Sequence, residues 1–233
     1  MTTAVFILSN LFTGILCVQR ASFLPSVAKV QRRISMRKKR IGIYAGTFNP
    51  VHTGHIAFAL QAKHTANLDE VYFLPERHPR HKQGVEHFAH RVAMLKNASK
   101  PHTGFYVLET NDIQFNVRRT LPNLQLRFDG AQLVFLIGSD VAEHLPYWPL
   151  SNRLLQQSEL AIGIRHGQRQ QVLEDRIRAW QQKPQDLHII ESFAPHVSSN
   201  SIRDALRKRR RAPGLLDSVA RYSDRHWLYV SVA

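Results

Sequence analysis

Short apolar runs alternate with longer amphipathic stretches through most of this chain. Runs of four to six residues rich in β-branched and aromatic side chains predict strands at 41–45, 71–75, 105–109, 133–138, 160–165 and 187–190. The stretches between them have helical spacing and predict helices at 54–66, 86–98, 117–127, 150–157 and 170–181, with two closing helices at 201–211 and 215–223. This alternation predicts a doubly wound α/β fold, in which a parallel sheet carries helices on both faces.

Charge adds a constraint on the partners of this fold. The 233 residues include 32 lysines and arginines and 17 acidic residues, a formal net charge of +15. Such a field attracts nucleic acid, anionic membranes or phosphorylated metabolites without choosing among them, and a basic surface kept for solubility is the alternative. The basic run at 207–211 has no interleaved aromatic residues for base stacking, so no specific nucleic acid is expected.

The first 35 residues differ from the rest of the chain. Their apolar stretch at 4–17 is shorter than the roughly 20 residues that span a bilayer, and no basic residue precedes it as in a signal peptide. Met36 opens a short basic leader directly before the first strand. We therefore favour a dispensable or misassigned extension at 1–35 over an interfacial anchor, followed by one domain at 36–233. No membrane association is expected, and the lone Cys17 fits a reducing, cytoplasmic setting.

The first strand-to-helix crossing, "GTFNPVHTGHI" at 46–56, carries the most distinctive residues. Gly46 and Asn49 predict a turn, and His52 and His55 lie three apart, so their rings point to one side of a helix start. Free N–H groups at a helix start bind anions, and imidazoles donate hydrogen bonds to phosphate oxygens. Zinc would need a third protein ligand, for which no clean spacing exists. Two surface histidines without a role are the other alternative.

A second anion site is expected near the other end of the sheet, at "HVSSNSIRDAL" (196–206). Its serines are natural N-caps, with Asp204 available as a weak capping-box partner of Ser201. One interpretation is only a well-capped helix. The other adds Arg203, in the first turn, as a clamp for phosphate groups.

Both stretches resemble signature motifs of the nucleotidylyltransferase superfamily, G-[TS]-F-D-P-x-H-x-G-H and I-S-S-T-x-I-R, in the same order. Asn49 stands where the family usually has Asp, and Asn200 where it has Thr. The resemblance implies a Rossmann-like fold that joins a nucleoside triphosphate to a phosphorylated acceptor and releases pyrophosphate. It implies that His52, His55 and Arg203 are catalytic and that ATP contacts Gly46, Thr47, Phe48, His52, His55, Gly138, Asp140, Ser198, Ser199 and Arg203.

Further segments are similar to nicotinate-mononucleotide adenylyltransferases, and the similarity extends over 38–230. The basic loop within 71–95 implies that His81 and Lys82 bind the acceptor phosphate, with Arg77 assisting. Asp140 follows a predicted strand, where it can bind sugar hydroxyls. Trp148 matches the tryptophan that stacks on the pyridine ring, an ordinary core tryptophan being the alternative.

The resemblance implies adenylyl transfer from ATP to nicotinate mononucleotide, giving deamido-NAD and pyrophosphate, with Mg²⁺ accompanying ATP and no protein-bound metal. One departure leaves the acceptor open. Asn116 and Val117 replace a Tyr-Thr pair that helps recognise the nicotinate carboxylate in the family, so nicotinamide mononucleotide is an alternative. Another phosphorylated acceptor, such as phosphopantetheine, and a basic nucleic-acid-binding protein are the rival hypotheses.

Overall fold

The computed structural model describes residues 37–80, 82–164, 169–191 and 197–230. Its strands are β1 (Arg40–Gly46), β2 (Glu70–Pro75), β3 (Phe105–Val107), β4 (Gln132–Gly138), β5 (Glu159–Ile164) and β6 (Leu187–Glu191). Its helices are α1 (Thr53–Thr65), α2 (Phe88–Ser99), α3 (Thr120–Arg127), α4 (Ser139–His144), α5 (Ser151–Gln157), α6 (Gln170–Arg178), α7 (Ser199–Arg207) and α8 (Asp217–Arg225), with a 3₁₀ turn at Leu145–Tyr147. The extension predicted at 1–35 lies outside the described residues.

All described strands are parallel and form one sheet in the order β3-β2-β1-β4-β5-β6. The chain winds outward from β1 to β3, returns to place β4 beside β1, and then winds outward to β6. The direction of winding therefore reverses between β1 and β4. In open α/β sheets, a crevice for ligands lies at the carboxyl ends of the strands at this point.

Alternate side chains of each strand enter two separate cores, one on each face of the sheet. On one face, Phe73 and Leu136 pack with apolar residues of α1, α2 and α8. On the other, Ile43 and Phe135 pack with those of α3, α4, α5 and α6. A sheet buried on both faces requires strands that are apolar almost throughout, which explains why short apolar runs identified them. The predicted doubly wound fold is confirmed.

One helix end and one additional helix illustrate where the elements differ from the prediction. Helix α6 was expected to reach 181 but ends at Arg178, where the Lys183 ammonium donates hydrogen bonds to the carbonyl oxygens of Ile177 (2.9 Å) and Trp180 (2.5 Å). The six-residue helix α4 was not predicted, because so short a segment cannot display a helical period. In the described ranges, no helix is long and apolar enough to cross a membrane.

Candidate active site

The turn after β1 is held by a buried aromatic ring. Phe48 has a positive φ of 50° and is only 2 % exposed, and its ring meets those of Tyr44 and Phe73 edge-on at 5.3 and 5.7 Å. A β-carbon on Gly46 would lie 3.1 Å from the Phe48 ring, so this close approach favours glycine. The buried ring leaves only the backbone of Phe48 for a ligand. Thr47, beside it, is held at the carboxyl end of β1.

The two histidines of the first motif form one packed unit at the start of α1. His52 is the residue before the helix, and its ring centroid lies 3.8 Å from that of His55. The backbone N–H of His52 donates a hydrogen bond to Nδ1 of His55 (3.2 Å). Because that nitrogen accepts, a neutral His55 carries its proton on Nε2, where it is available as a donor. The sequence-based expectation that both rings share one side of the helix is met.

Burial keeps this pair uncharged. It lowers the pKa of His52 to about 4. It also lowers the pKa of His55 well below the usual range, with smaller contributions from His52 and Lys82. The His55 ring contacts Tyr44, Phe48 and His52, which accounts for the loss of water around it. At neutral pH the histidines therefore act as N–H donors rather than as cations.

This burial predicts a loss of stability in mild acid. His52 binds a proton near pH 6.5 in the unfolded chain but only near pH 4 in the folded one, so protonation favours unfolding as pH falls through that window. The shift corresponds to about 3 kcal/mol of unfolding free energy lost by pH 4. We expect His52→Asn to reduce the loss of unfolding free energy between pH 6.5 and 4, as measured by denaturant unfolding. The control His64→Asn, at an exposed position, is expected to leave that loss unchanged. The same dependence of unfolding free energy on pH in both variants would contradict this expectation.

The loop after β2 reaches the same turn. The Lys82 ammonium donates a hydrogen bond to Oγ1 of Thr47 (2.8 Å), which joins a predicted acceptor residue to a predicted ATP residue. The Arg77 guanidinium donates to the carbonyl of Thr110 (2.8 Å) and lies 4.3 Å above the ring of Phe88, so its present contacts fix the loop. His81 lies outside the described residues.

A buried arginine that sequence reasoning did not assign to the site holds these two loops together. Arg91, in α2, is 1 % exposed. Its guanidinium donates to the carbonyls of Thr47 (2.7 Å), Glu86 (2.9 Å) and Arg77 (3.0 Å). The sequence could have indicated this burial, because the arginine is followed directly by the apolar Val-Ala-Met-Leu of the same helix. Arg91 therefore fixes the relative positions of the turn after β1 and the loop after β2.

The second motif lies directly against the first, and not near the other end of the sheet as expected. The Ser199 hydroxyl at the start of α7 donates to the carbonyl of Pro50 (3.0 Å), and Arg203 donates to that of Asn49 (2.7 Å). The described chain resumes at Val197, whose side chain lies beside Gly214, and the carbonyl of Gly214 accepts a hydrogen bond from the backbone N–H of Thr53 at the start of α1. Both helix starts thus face one region.

The cap of α7 also differs from the prediction. Ser198 is the N-cap, and its hydroxyl accepts from the backbone N–H of Ser201 (3.1 Å) in a serine–serine capping box. Asp204 instead pairs with Arg207 (3.1 Å), because the helix starts earlier than a Ser201 cap would require. In the first turn, Arg203 donates to Oδ1 of Asn200 (2.6 Å), while its buried Nε has no hydrogen-bond partner among the described residues. Burial is the first cause that lowers the pKa of this guanidinium.

Asn49 connects three parts of the site. Its Oδ1 accepts from the backbone N–H of Glu86 (3.2 Å) and from the buried hydroxyl of Tyr229 (2.9 Å), and its Nδ2 donates to the carbonyl of Gly84 (3.2 Å). An aspartate, which the superfamily pattern favours here, has no such donor. The Asn49 amide therefore fits the loop after β2 in this chain. Tyr229 is, after Arg91, a second residue that supports the site and that sequence reasoning missed.

Asn49→Asp is expected to destabilise the protein by about 1–3 kcal/mol. The carboxylate would lose the donor to Gly84 and place a charge beside that carbonyl oxygen. Urea unfolding at pH 7 measures the change, with Asn97→Asp on the exposed face of α2 as the matched control. If both variants unfold at the same urea concentration as the parent, the amide donor has no structural role.

The carboxyl end of β4 presents the remaining predicted residues. Gly138 precedes α4, and a β-carbon there would lie 2.4 Å from Oδ1 of Asp140, so the glycine lets this carboxylate fold back against the strand end. Trp148 follows the 3₁₀ turn. It is half-buried, packs against the second core, and lies 6.2 Å from the ring of Phe115. The indole is therefore partly a core residue and partly accessible.

Among the described residues, one group of three potential metal ligands comes together, at Glu159, Asp186 and His188. Glu159 begins β5 at the amino edge of the sheet, opposite the two motifs. The Arg40 guanidinium already binds both its oxygens, at 2.9 and 2.5 Å, and Nε2 of His188 lies 3.0 Å from one of them. This cluster is explained by its internal ion pairs.

Comparison with known proteins shows which family has this fold and sequence. The cytidylyltransferase-like family model matches residues 43–205. Nicotinate-nucleotide adenylyltransferase of Bacillus subtilis is 32% identical over 200 residues, covering 83% of this chain and 100% of the relative. A probable nicotinate-nucleotide adenylyltransferase of Neisseria meningitidis serogroup C is 31% identical over 198 residues, covering 82% of this chain and 98% of that protein.

A solved structure of Plasmodium falciparum nicotinic acid mononucleotide adenylyltransferase complexed with NaAD superimposes with a TM-score of 0.67 at 18% identity. It covers 82% of this chain and 97% of that one, so the two share a fold. The family model and the two relatives above 30% identity together show the family of this chain. This chain belongs to the cytidylyltransferase-like family and, within it, to the nicotinate-nucleotide adenylyltransferases.

Proposed function

We propose that this protein transfers the adenylyl group of ATP to nicotinate mononucleotide, releasing pyrophosphate and forming deamido-NAD. The observation that carries the proposal is the meeting of three phosphate-binding segments at one turn. Ser199 and Arg203 hydrogen-bond to the carbonyls of Pro50 and Asn49, and Lys82 hydrogen-bonds to Thr47. Two anionic substrates that must react with each other need donors from separate elements converging in this way.

The chemistry is a direct displacement at the α-phosphorus. A phosphate oxygen of the acceptor attacks in line, the bond from the α-phosphorus to the bridging oxygen breaks, and pyrophosphate leaves with that oxygen. Because the attacking oxygen is already an anion, no strong general base is needed. Catalysis then consists of positioning and of stabilising charge on the transferring phosphoryl group.

Each residue of the site has a distinct part in this displacement. The neutral histidines donate N–H groups to phosphate oxygens, His55 through Nε2, since its Nδ1 accepts from the backbone of His52. Arg203, anchored by Asn49 and Asn200 through its two Nη atoms, supplies fixed positive charge for the β- and γ-phosphates. The serine-capped start of α7 adds free backbone N–H groups and the hydroxyls of its cap.

Mg²⁺ is proposed to enter with ATP as part of the substrate. Nitrogen and hydroxyl donors predominate where the two motifs meet, and these do not form the oxygen-rich carboxylate cage that Mg²⁺ takes from proteins. Bound with ATP, Mg²⁺ would supply positive charge that offsets the negative charge of the triphosphate. This chain's own residues bind the remaining oxygens and orient the triphosphate for displacement.

The acceptor is proposed to lie between Lys82 and the carboxyl end of β4. Lys82 is exposed and ends 2.8 Å from Oγ1 of Thr47, so its ammonium can bind the acceptor phosphate beside the ATP turn. Trp148 offers an indole face to the pyridine ring, while Asp140, at the same strand end, offers a carboxylate to sugar hydroxyls of ATP. Oδ1 of Asn116 accepts from the backbone N–H of Arg118 (2.8 Å), so the Nδ2 group of this amide is the donor that it can offer to the nicotinate carboxylate.

Two further properties are proposed from the sequence. The catalytic domain is proposed to comprise residues 36–233, with residues 1–35 as a dispensable extension. A cytoplasmic location is proposed because the lone cysteine, Cys17, fits a reducing compartment.

Trp148→Ala is expected to raise KM for the pyridine nucleotide about 10-fold, while KM for ATP changes little. A base stacked on an aromatic side chain is stabilised by about 1–3 kcal/mol, and only the acceptor uses this indole. Initial rates with each substrate varied in turn separate the two constants. The neighbouring Tyr147→Ala, which removes an 85% exposed ring, is the matched control. A rise in KM for ATP alone would assign Trp148 to the other substrate.

A competition between acceptors tests the proposed function. Pyrophosphate release is measured in a coupled assay with ATP, Mg²⁺ and one acceptor at a time: nicotinate mononucleotide, nicotinamide mononucleotide or phosphopantetheine. The acceptors are then offered in pairs. The proposal expects the largest kcat/KM for nicotinate mononucleotide. A larger value for nicotinamide mononucleotide would change the acceptor but keep the reaction class. Turnover with phosphopantetheine alone would overturn the proposed function.

A further inference from the structure

A cavity of about 660 Å³ lies beyond the carboxyl end of α7 and shares no residue with the candidate active site. Three consecutive arginines, Arg209, Arg210 and Arg211, line it, and all are exposed. In the part of the chain that the structure describes, none of the ion pairs involves these three guanidinium groups. Adjacent unpaired guanidinium groups repel one another and bind phosphate with several donors each.

An exposed tryptophan lines the same cavity. Trp227 is 78% exposed, although a large indole normally gains stability by burial. The sequence has no aromatic residue within its basic run, but the fold brings Trp227 from beyond α8 to the rim where the arginines lie. A flat ring beside guanidinium groups is the combination that binds a stacked base with its phosphates.

Two carboxylates also line the cavity. Asp217 and Asp224, both exposed on α8, are hydrogen-bond acceptors for amino and hydroxyl groups. We propose that this cavity is a second nucleotide-binding site, which takes a nucleoside di- or triphosphate. Such a ligand offers phosphates to the arginines, a base to Trp227, and amino or ribose hydroxyl donors to the aspartates. The volume of the cavity suits a small ligand. A polynucleotide is disfavoured, because its phosphate backbone would have to pass both carboxylates, which repel it.

One loop connects this cavity to the candidate active site. Gly214 lines the cavity, and its carbonyl accepts a hydrogen bond from the backbone N–H of Thr53 (3.0 Å), the first residue of α1. Its φ of +81° and the side chain of Val197, 2.5 Å from where a β-carbon would lie, fix this loop closely. Thr53 follows His52 directly. A nucleotide in the cavity is therefore expected to alter ATP affinity at the histidine motif.

Counting bound nucleotide tests the proposal. Equilibrium dialysis of the full chain with ATP and Mg²⁺, without acceptor, is expected to give two ATP molecules per chain. Arg210→Ala/Arg211→Ala and Trp227→Ala are each expected to give one, with kcat at saturating substrates retained. Arg127→Ala/Arg153→Ala removes the same charge from exposed positions on α3 and α5 and is expected to keep two.

Other outcomes overturn the second site. One ATP per chain in the parent that both cavity variants retain, or two in both cavity variants, would leave no nucleotide in this cavity. Tight binding of a labelled oligouridylate, together with one ATP per chain, would make the basic run a nucleic-acid surface instead. Failure of the proposed adenylyl transfer is recognised separately, by absent dinucleotide in the parent, because none of the cavity residues belongs to the candidate active site.

Discussion

His55→Ala is expected to lower the rate of dinucleotide formation by about 10²–10³-fold while the protein stays folded. The loss of one preorganised donor to a developing charge has an effect of this size in other enzymes. His55 Nε2 is such a donor, because the His52 backbone fixes Nδ1 as an acceptor and burial removes competing water. Single-turnover measurement at saturating ATP and acceptor separates this effect from weaker binding.

The control for this variant is His64→Ala, which removes an exposed imidazole from the last turn of the same helix. It is expected to keep the parental rate. Circular dichroism and the unfolding midpoint should show that both variants are folded at pH 7. If His55→Ala retains more than about a tenth of the parental rate, the phosphate-donor role of His55 is wrong.

Arg91→Met is expected to lower the free energy of unfolding by about 3–5 kcal/mol. The thioether fills part of the space but leaves three carbonyl oxygens without the donors that they have now, those of Thr47, Arg77 and Glu86. Because Thr47 is proposed to contact ATP and Arg77 to assist with the acceptor, KM for both substrates is expected to rise. Denaturant unfolding and initial rates measure the two effects.

Lys96→Met, on the same helix, is the matched control. Lys96 pairs with Glu109 at 2.8 Å, but both side chains are largely exposed, so the pair contributes at most about 1 kcal/mol. Equal destabilisation by the two substitutions would mean that Arg91 contributes no more than a surface cation. Destabilisation by Arg91→Met without a change in KM would separate its structural role from loop positioning.

The sheet was predictable because both of its faces are buried, so each strand is a short apolar run between polar segments. The prediction failed where the partner strand, and not the polarity of the segment itself, sets a boundary. Strand β3 was expected to continue to 109 but ends at Val107, which pairs with Phe73 of β2. Two positions further along β2 stands Pro75, which has no N–H to continue the ladder.

The candidate site was predictable where its residues are close in sequence. His52 and His55 share one helical turn, and the serines cap the helix that carries Arg203. Contacts between distant segments were not predictable in this way. The hydroxyl of Tyr229 reaches Asn49 across 180 residues, and no local spacing marks that pairing. The neutrality of the histidines was not predictable from spacing either, because it arises from burial by residues that only the fold brings together.

Identification of the product tests the central claim most directly. The protein is incubated with ATP, Mg²⁺ and nicotinate mononucleotide, and the products are separated and weighed by mass spectrometry beside a pyrophosphate assay. We expect deamido-NAD and pyrophosphate in a one-to-one ratio, with formation nearly abolished in His55→Ala. Consumption of ATP without any dinucleotide, or no reaction with either pyridine mononucleotide, would contradict adenylyl transfer by this protein.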